Sequence, residues 1–289
     1  MGLRLKFNLV LVVVFVLGLA ISGALSYRLL HQNAREQVIE NAGVMMAGAV
    51  AIRGYTVEQI RPHLELQLMR QFLPESVPAY SATEVFARIR NAYPEYTYKE
   101  ATLNPTNLRN RALDWEADIV NEFRNDLTKK ELVGDRESSS GRSLYLARPL
   151  QVKSDSCIEC HGVPKDAPKT MIERYGDTHG FGWKIGEIIG AQIVSVPLAL
   201  PIKKANEAFF AFIASLFGVA VVVFVVLNIM LTRIVIRPIT KLSHIADEVS
   251  KGNMNIPEFI EQGRDEVSIL TSSFNRMRRS LEQAMKMIE

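Results

Sequence analysis

Apolar positions along the chain fall into three patterns. The first is an unbroken run. FNLVLVVVFVLGLAISGAL spans residues 7–25, and FFAFIASLFGVAVVVFVVLNIML spans residues 209–231; neither holds a charge. Each is long enough to cross a hydrocarbon layer of roughly 30 Å as a helix. Arg4 and Lys6 precede the first run, and Arg233, Arg237 and Lys241 follow the second. Positive residues favour the cytoplasmic side. This predicts a two-pass protein of a bacterial cell membrane: a cytoplasmic N-terminus (1–6), a first transmembrane helix (7–25), an outer domain (26–208), a second transmembrane helix (209–231) and a cytoplasmic tail (232–289). SGA at 22–24 would serve as a signal-cleavage site, but the run is longer than the usual signal core, which favours an uncleaved anchor.

The second pattern is short-period and fills the middle. Residues 32–70 read as mostly helical. Val38, Ala42, Met45, Ala49 and Ile52 form one stripe at helical spacing, and Ile39, Met46 and Val50 form another beside it. Pro74 and Pro78 interrupt that pattern. ATEVFARIR (82–90) suits a short helix and DWEADIVNEFRNDL (114–127) an amphipathic one. Strands are predicted at 96–103, 142–150 and 187–198, from alternation and β-branched or aromatic content. Ser138 to Gly141 marks a turn. The outer domain is therefore expected to be α+β, a small sheet with a long leading helix.

The third pattern is a heptad-like seam in the tail. Val235, Pro238, Leu242, Ile245 and Val249 repeat at 3-4-3-4; Val267, Leu270, Phe274, Met277, Leu281, Ala284 and Ile288 do the same. KGNMNIPEFIEQGRDE between them holds Gly, Asn and Pro and cannot be helical throughout. Two such helices close as a parallel four-helix bundle only when a second copy supplies the other pair, so a homodimer is expected.

Composition adds little to this. The formal net charge of the 289 residues is +3, which makes no case for nucleic acid binding.

The cysteines change the picture more. The chain has two, both in SDSCIECHG (154–162). Cys157, Cys160 and His161 form C-x-x-C-H, the pattern of covalent c-type haem attachment. Two thiols add across the two vinyl groups, and the adjacent histidine becomes the proximal iron ligand. Such attachment takes place outside the bacterial cytoplasm, where the topology independently puts this stretch. A thioredoxin-type disulfide leaves His161 without a role, and a zinc site built from Cys157, Cys160 and His161 or His179 suits a different compartment better. One haem c per chain is the expectation. For the sixth iron position, Met45 or Met46 on the leading helix, His63, His179 and an open site all remain. No acid–base constellation accompanies the motif, so the chain is not read as an enzyme.

Residues 233–286 resemble a HAMP linker, with Pro238 early in the first helix, Gly252 after it, and Glu266 in DEVSILTSSFNRM opening the second. IRGYTVEQIRPHL, YKEATLNPTN, DWEADIVNEFRND, GRSLYLARPL, CIECHG, PKTMIERYG and HGFGWKIGEIIGAQIVSVPL, in that order, resemble the periplasmic c-haem sensor domains of bacterial membrane receptors, over about 40–200. That resemblance implies a PAS-like fold, haem on Cys157 and Cys160 with His161 proximal, and a distal ligand from the leading helix. Some members use cysteine there; block spacing points to Met46 in this chain. It also implies a sensor of redox state or of a small gas, relaying through HAMP to a partner in trans such as a histidine kinase or chemoreceptor. The other reading is a membrane-tethered cytochrome that carries electrons.

Overall fold

A computed structural model describes residues 2–138, 141–253, 256–259, 263 and 265–287. The chain divides into two units, Tyr27–Ala208 and a second made of Met1–Ser26 with Phe209–Glu289.

In the first unit the sheet follows from the alternation read in the sequence. β1 (Thr97–Thr102), β2 (Leu132–Ser138), β3 (Gly141–Gln151) and β4 (Ile188–Pro197) pair antiparallel in the order β1-β4-β3-β2. β4 is central and packed on both faces. Val194 and Val196 point one way, into a core with Tyr98, Leu144 and Leu146; Ala191 and Ile193 point the other, against Ile119, Val120 and Phe123. These odd and even positions alternate because successive strand side chains face opposite ways. α4 (Asp114–Asn125) covers one face. α1 (Leu3–Tyr55), through its residues after Tyr27, and α3 (Pro78–Ala92) cover the other.

The two stripes expected on the leading helix merge into one broad face. Val38, Ala42, Met46 and Ala49 are fully buried, Ile39, Met45 and Ile52 pack around them, and Val50 is exposed. Each fully covered Met or Val removes apolar surface worth about 1.5–3 kcal/mol. Ala42 and Ala49 let the helix lie close on the sheet.

Three segments depart from expectation. The leading helix is not one continuous α pattern to residue 70. It leaves α geometry for a π turn at Thr56–Ile60, resumes as α2 (Arg61–Leu68), and ends before Pro74. β2 was not expected, because LVGDRES lacks apolar alternation; as an edge strand it draws its order from the ladder to β3. The C-x-x-C-H stretch lies between the strands predicted at 142–150 and 187–198, where no element was predicted. It forms a short helix, α5 (Asp155–His161), followed by α6 (Lys169–Tyr175). Ser154 caps α5, its Oγ accepting from Ser156 N–H at 3.2 Å. Of the turn expected at Ser138 to Gly141, residues 139 and 140 lie outside the described residues.

The second unit carries the apolar runs. Two helices hold stretches long and apolar enough to cross a membrane, one in α1 and one in α7 (Ala199–Met230). A π turn (Leu231–Ile236) leads to α8 (Arg237–Ser250), with Pro238 in its first turn, where a missing N–H costs nothing. α9 (Glu266–Lys286) starts at Asp265, whose carboxylate accepts from Ser268 N–H at 2.9 Å. The described residues between α8 and α9 are not helical. Leu242 and Val249 of the first seam are buried, whereas Leu270, Met277 and Leu281 of the second are 50 %, 57 % and 46 % exposed.

Candidate functional site

α5 brings the motif's side chains together by helical spacing alone. Cys157, Cys160 and His161 stand at i, i+3 and i+4, which is one face of a helix. All three line a cavity of about 520 Å³. Both thiols are free and half-buried. Its other walls come from far along the chain: Val57, Phe72, Leu150, Val152 and Ile189 supply apolar surface, and Arg53, Glu100, Arg61 and Arg109 supply charge. This volume is in the ordinary range of ligand sites, roughly 300–1,000 Å³.

His161 is held from two sides. Its ring stacks on Trp183, centroids 3.9 Å apart and planes 16° from parallel. Its Nδ1 lies 2.8 Å from the Gly180 carbonyl oxygen, with Thr106 Oγ1 at 3.3 Å. A carbonyl oxygen only accepts, so Nδ1 carries the proton and Nε2 is left with its lone pair. That is the tautomer a metal-ligating imidazole needs, fixed by a backbone acceptor. Burial also pushes the His161 imidazole below its ordinary pKa, the Gly180 carbonyl opposing. Gly180 has φ +82°, and a Cβ there would meet Thr106 Oγ1 at 2.0 Å. Only glycine lets this loop come close enough to hold the ring.

Across the cavity, a buried polar network ties the leading helix to the sheet. Arg53 Nη1 donates to both Glu100 carboxylate oxygens at 2.5 Å. Tyr98 Oη donates to Glu100 Oε1 at 2.7 Å, and Gln192 Nε2 donates to Tyr98 Oη at 2.9 Å. Burial pushes the Tyr98 hydroxyl far up, and the Glu100 charge adds to it. Burial by itself would lower the Arg53 guanidinium, but Glu100 more than reverses that.

The methionines singled out on the leading helix are not at this site. Met46 is fully buried in the core beneath the sheet, Met45 packs against the same cluster, and neither lines the cavity. α1 turns Arg53 to the cavity, and Val57 of the π turn and Arg61 of α2 follow. His63 is exposed on α2 and does not line it. Nor does His179, whose Nδ1 lies 3.2 Å from Asn104 Oδ1. Among the described residues, no group of three or more His, Cys, Asp or Glu side chains is placed to hold a bare metal ion. Sequence reasoning missed Arg53, Arg61, Thr106 and Trp183. All four lie in blocks that carry the family resemblance, Arg53 and Arg61 in IRGYTVEQIRPHL, Thr106 in YKEATLNPTN and Trp183 in HGFGWKIGEIIGAQIVSVPL, but no spacing marked them as cavity residues.

The fold and site define a class: an α+β domain with a cysteine–histidine cavity, accompanied by two apolar helices and a C-terminal HAMP region, as expected for a membrane sensor. Comparison with known families agrees. Residues 31–197 match the Tll0287-like family (Tll0287), and residues 230–283 match the HAMP domain. The chain belongs to the Tll0287-like family. Among solved structures it is similar to that described as the crystal structure of the cyanobacterial heme-protein Tll0287. Identity is 18 %, 53 % of this chain and 94 % of that one are covered, and the TM-score is 0.38. No curated protein matches.

Proposed function

We propose that the chain is a membrane-anchored c-type haem sensor. Its outer domain responds to redox state or to a small gas, and HAMP passes the response to a signalling partner acting in trans. The observation that carries this is the constellation on α5: two thiols and an imidazole with a free Nε2 face one apolar cavity. The protein after which the family is named is described as a haem protein, which agrees. Cys157 and Cys160 would each form a thioether, the sulfur bonding one vinyl carbon and the thiol hydrogen going to the other, so no oxidant is required. His161 would ligate the iron, with Trp183 and Gly180 setting the ring's plane and tautomer. When bound, the group supplies an iron that changes charge on reduction and can take a small gas.

The residues around the cavity connect it to the rest of the chain. Arg53, which closes onto Glu100 at the cavity wall, belongs to α1, the helix that also contains the first apolar run. The placement of Met46 in the core supports a sixth iron position that this side chain does not fill. The HAMP region and the sensor-type domain point to a non-enzymatic role, and HAMP has no use in a protein that only carries electrons. We place the domain 26–208 in the periplasm and both termini in the cytoplasm, on the distribution of Arg and Lys around the apolar runs.

The test is extraction. In full-length protein made with cytochrome c maturation, haem should stay with the chain in acid acetone, and alkaline pyridine should give the spectrum of two saturated vinyls. Cys157→Ala with Cys160→Ala should abolish retention. Haem that leaves the parent chain in acid acetone overturns the attachment. Ferric and ferrous spectra with and without CO and NO then separate gas binding from redox response.

A further inference from the structure

The π turn at Thr56–Ile60 has a geometric consequence. In an unbroken α-helix, at about 100° per residue, positions 53 and 61 would point roughly 80° apart. A π turn acts as one inserted residue and takes back about 100°, which leaves the two side chains within roughly 20° of each other. Arg53, Val57 and Arg61 accordingly all line the cavity. Burial pushes the Cys160 thiol up, and the Arg61 guanidinium opposes it. Two guanidinium groups thus share the cavity lining with the two thiols.

The two are not equivalent. Arg53 is committed to Glu100. Arg109, the third arginine at the cavity, pairs with Glu84 at 2.6 Å and lies over the Tyr80 ring. Among the described residues, Glu100 is the one carboxylate in the lining. Arg61 is half-buried, its backbone N–H donates to the Thr56 carbonyl, and among the described residues its guanidinium has neither an ion pair nor a hydrogen bond. A guanidinium at an apolar wall is costly without a partner, and its planar fork matches a carboxylate or other oxyanion. We propose that Arg61 is the anion-binding residue of this cavity, its fork taking an anionic oxygen-bearing group. Two sources have that chemistry: a propionate carboxylate of the haem itself, or a small oxyanion admitted from solution to the haem pocket. The inference rests on the haem reading above.

The experiment uses full-length, haem-loaded protein in nanodiscs, as parent, Arg61→Gln and Arg61→Lys. If a haem propionate is the partner, Arg61→Gln shifts the propionate bending bands in resonance Raman, and Arg61→Lys largely restores them. If a solution oxyanion is the partner, sodium formate at constant ionic strength shifts the ferric Soret band of the parent to saturation. Arg61→Gln then weakens that binding by about ten-fold, the size expected for one charge-assisted hydrogen bond. Either result supports the site. Raman bands and formate response that match between parent and Arg61→Gln overturn it. Attachment is scored separately by the pyridine assay. If that assay finds no haem, the haem reading falls alone. Formate protection against thermal unfolding, present in the parent and lost in Arg61→Gln, then decides the Arg61 site.

Discussion

Met46 and His161 illustrate how two candidate iron ligands are separated by their surroundings. Both can ligate iron. His161 is on a helix face that meets the cavity, with one nitrogen occupied by a backbone carbonyl and the other free. Met46 lies on the face of α1 that meets Leu144, Leu146 and Val194 and has no exposed surface. Its thioether fills core space, the usual employment of methionine. Met46→Ala should therefore destabilise the outer domain by about 2–5 kcal/mol, the range for truncating a buried methionine. It should also leave the ferrous spectrum and the CO on-rate of the folded protein unchanged. A changed spectrum in protein that melts like the parent would restore Met46 as a ligand.

At the scale of elements, the leading helix is tied to the sheet twice, and the two ties differ in exposure. Near the cavity the Arg53–Glu100 pair is buried. At the other end Arg35 of α1 meets Asp135 of β2 at 2.7 Å, and Arg142 of β3 reaches the same carboxylate at 2.7 Å. Burial alone would raise the Asp135 carboxyl, but the two arginines hold it below its ordinary 3.8. A carboxyl depressed in the folded state adds stability above its unfolded pKa and loses it as pH falls through the folded value. The outer domain should lose stability below about pH 4, and Asp135→Asn should flatten that part of the profile while costing no more than about 1 kcal/mol at neutral pH. Chemical denaturation of parent and variant at several pH values measures it. An unchanged acid limb in Asp135→Asn would show that the tie carries no such stability. This tie was not legible in the sequence, because β2 lacks the alternation that marks a strand and its carboxylate meets Arg35 only through the sheet.

At the scale of the whole molecule, the HAMP helices leave a face to be covered. Leu270, Met277 and Leu281 recur at seven and four residues on α9 and are about half exposed within one chain. A second copy would bury them, at about 1.5–3 kcal/mol for each large side chain fully covered. Single cysteines at Met277 and Leu281 should crosslink between copies in membranes, and cysteines at Arg276 and Glu282 should do so much less. If haem state is relayed, the yield at Met277 should differ between oxidised and reduced protein. Equal crosslinking at all four positions would remove the bundle; a yield indifferent to the iron would favour electron carriage.

Much of this was determined by sequence alone, where the signal is local. Charge-free runs define candidate spans, because a helix must be apolar over about 30 Å to cross a bilayer. The alternation of β3 and β4 defined strands to within one residue of their ends, and the 3-4 seams marked α8 and α9 as helices, because side chains recur on one side at a period of two in a strand and 3.6 in a helix. The α+β class of the outer domain and the HAMP region were legible for the same reason, and C-x-x-C-H was legible because its donors are adjacent in the chain. Tertiary structure decided what depends on residues far apart. It decided that the two apolar stripes of α1 form one core face, that the π turn aligns Arg53 with Arg61, and that Gly180 and Trp183 hold the ring of His161. It also decided that the leading helix turns Arg53 to the cavity and Met46 to the core. A stripe announces that a face is buried; which partner buries it is set by the packing of the whole domain.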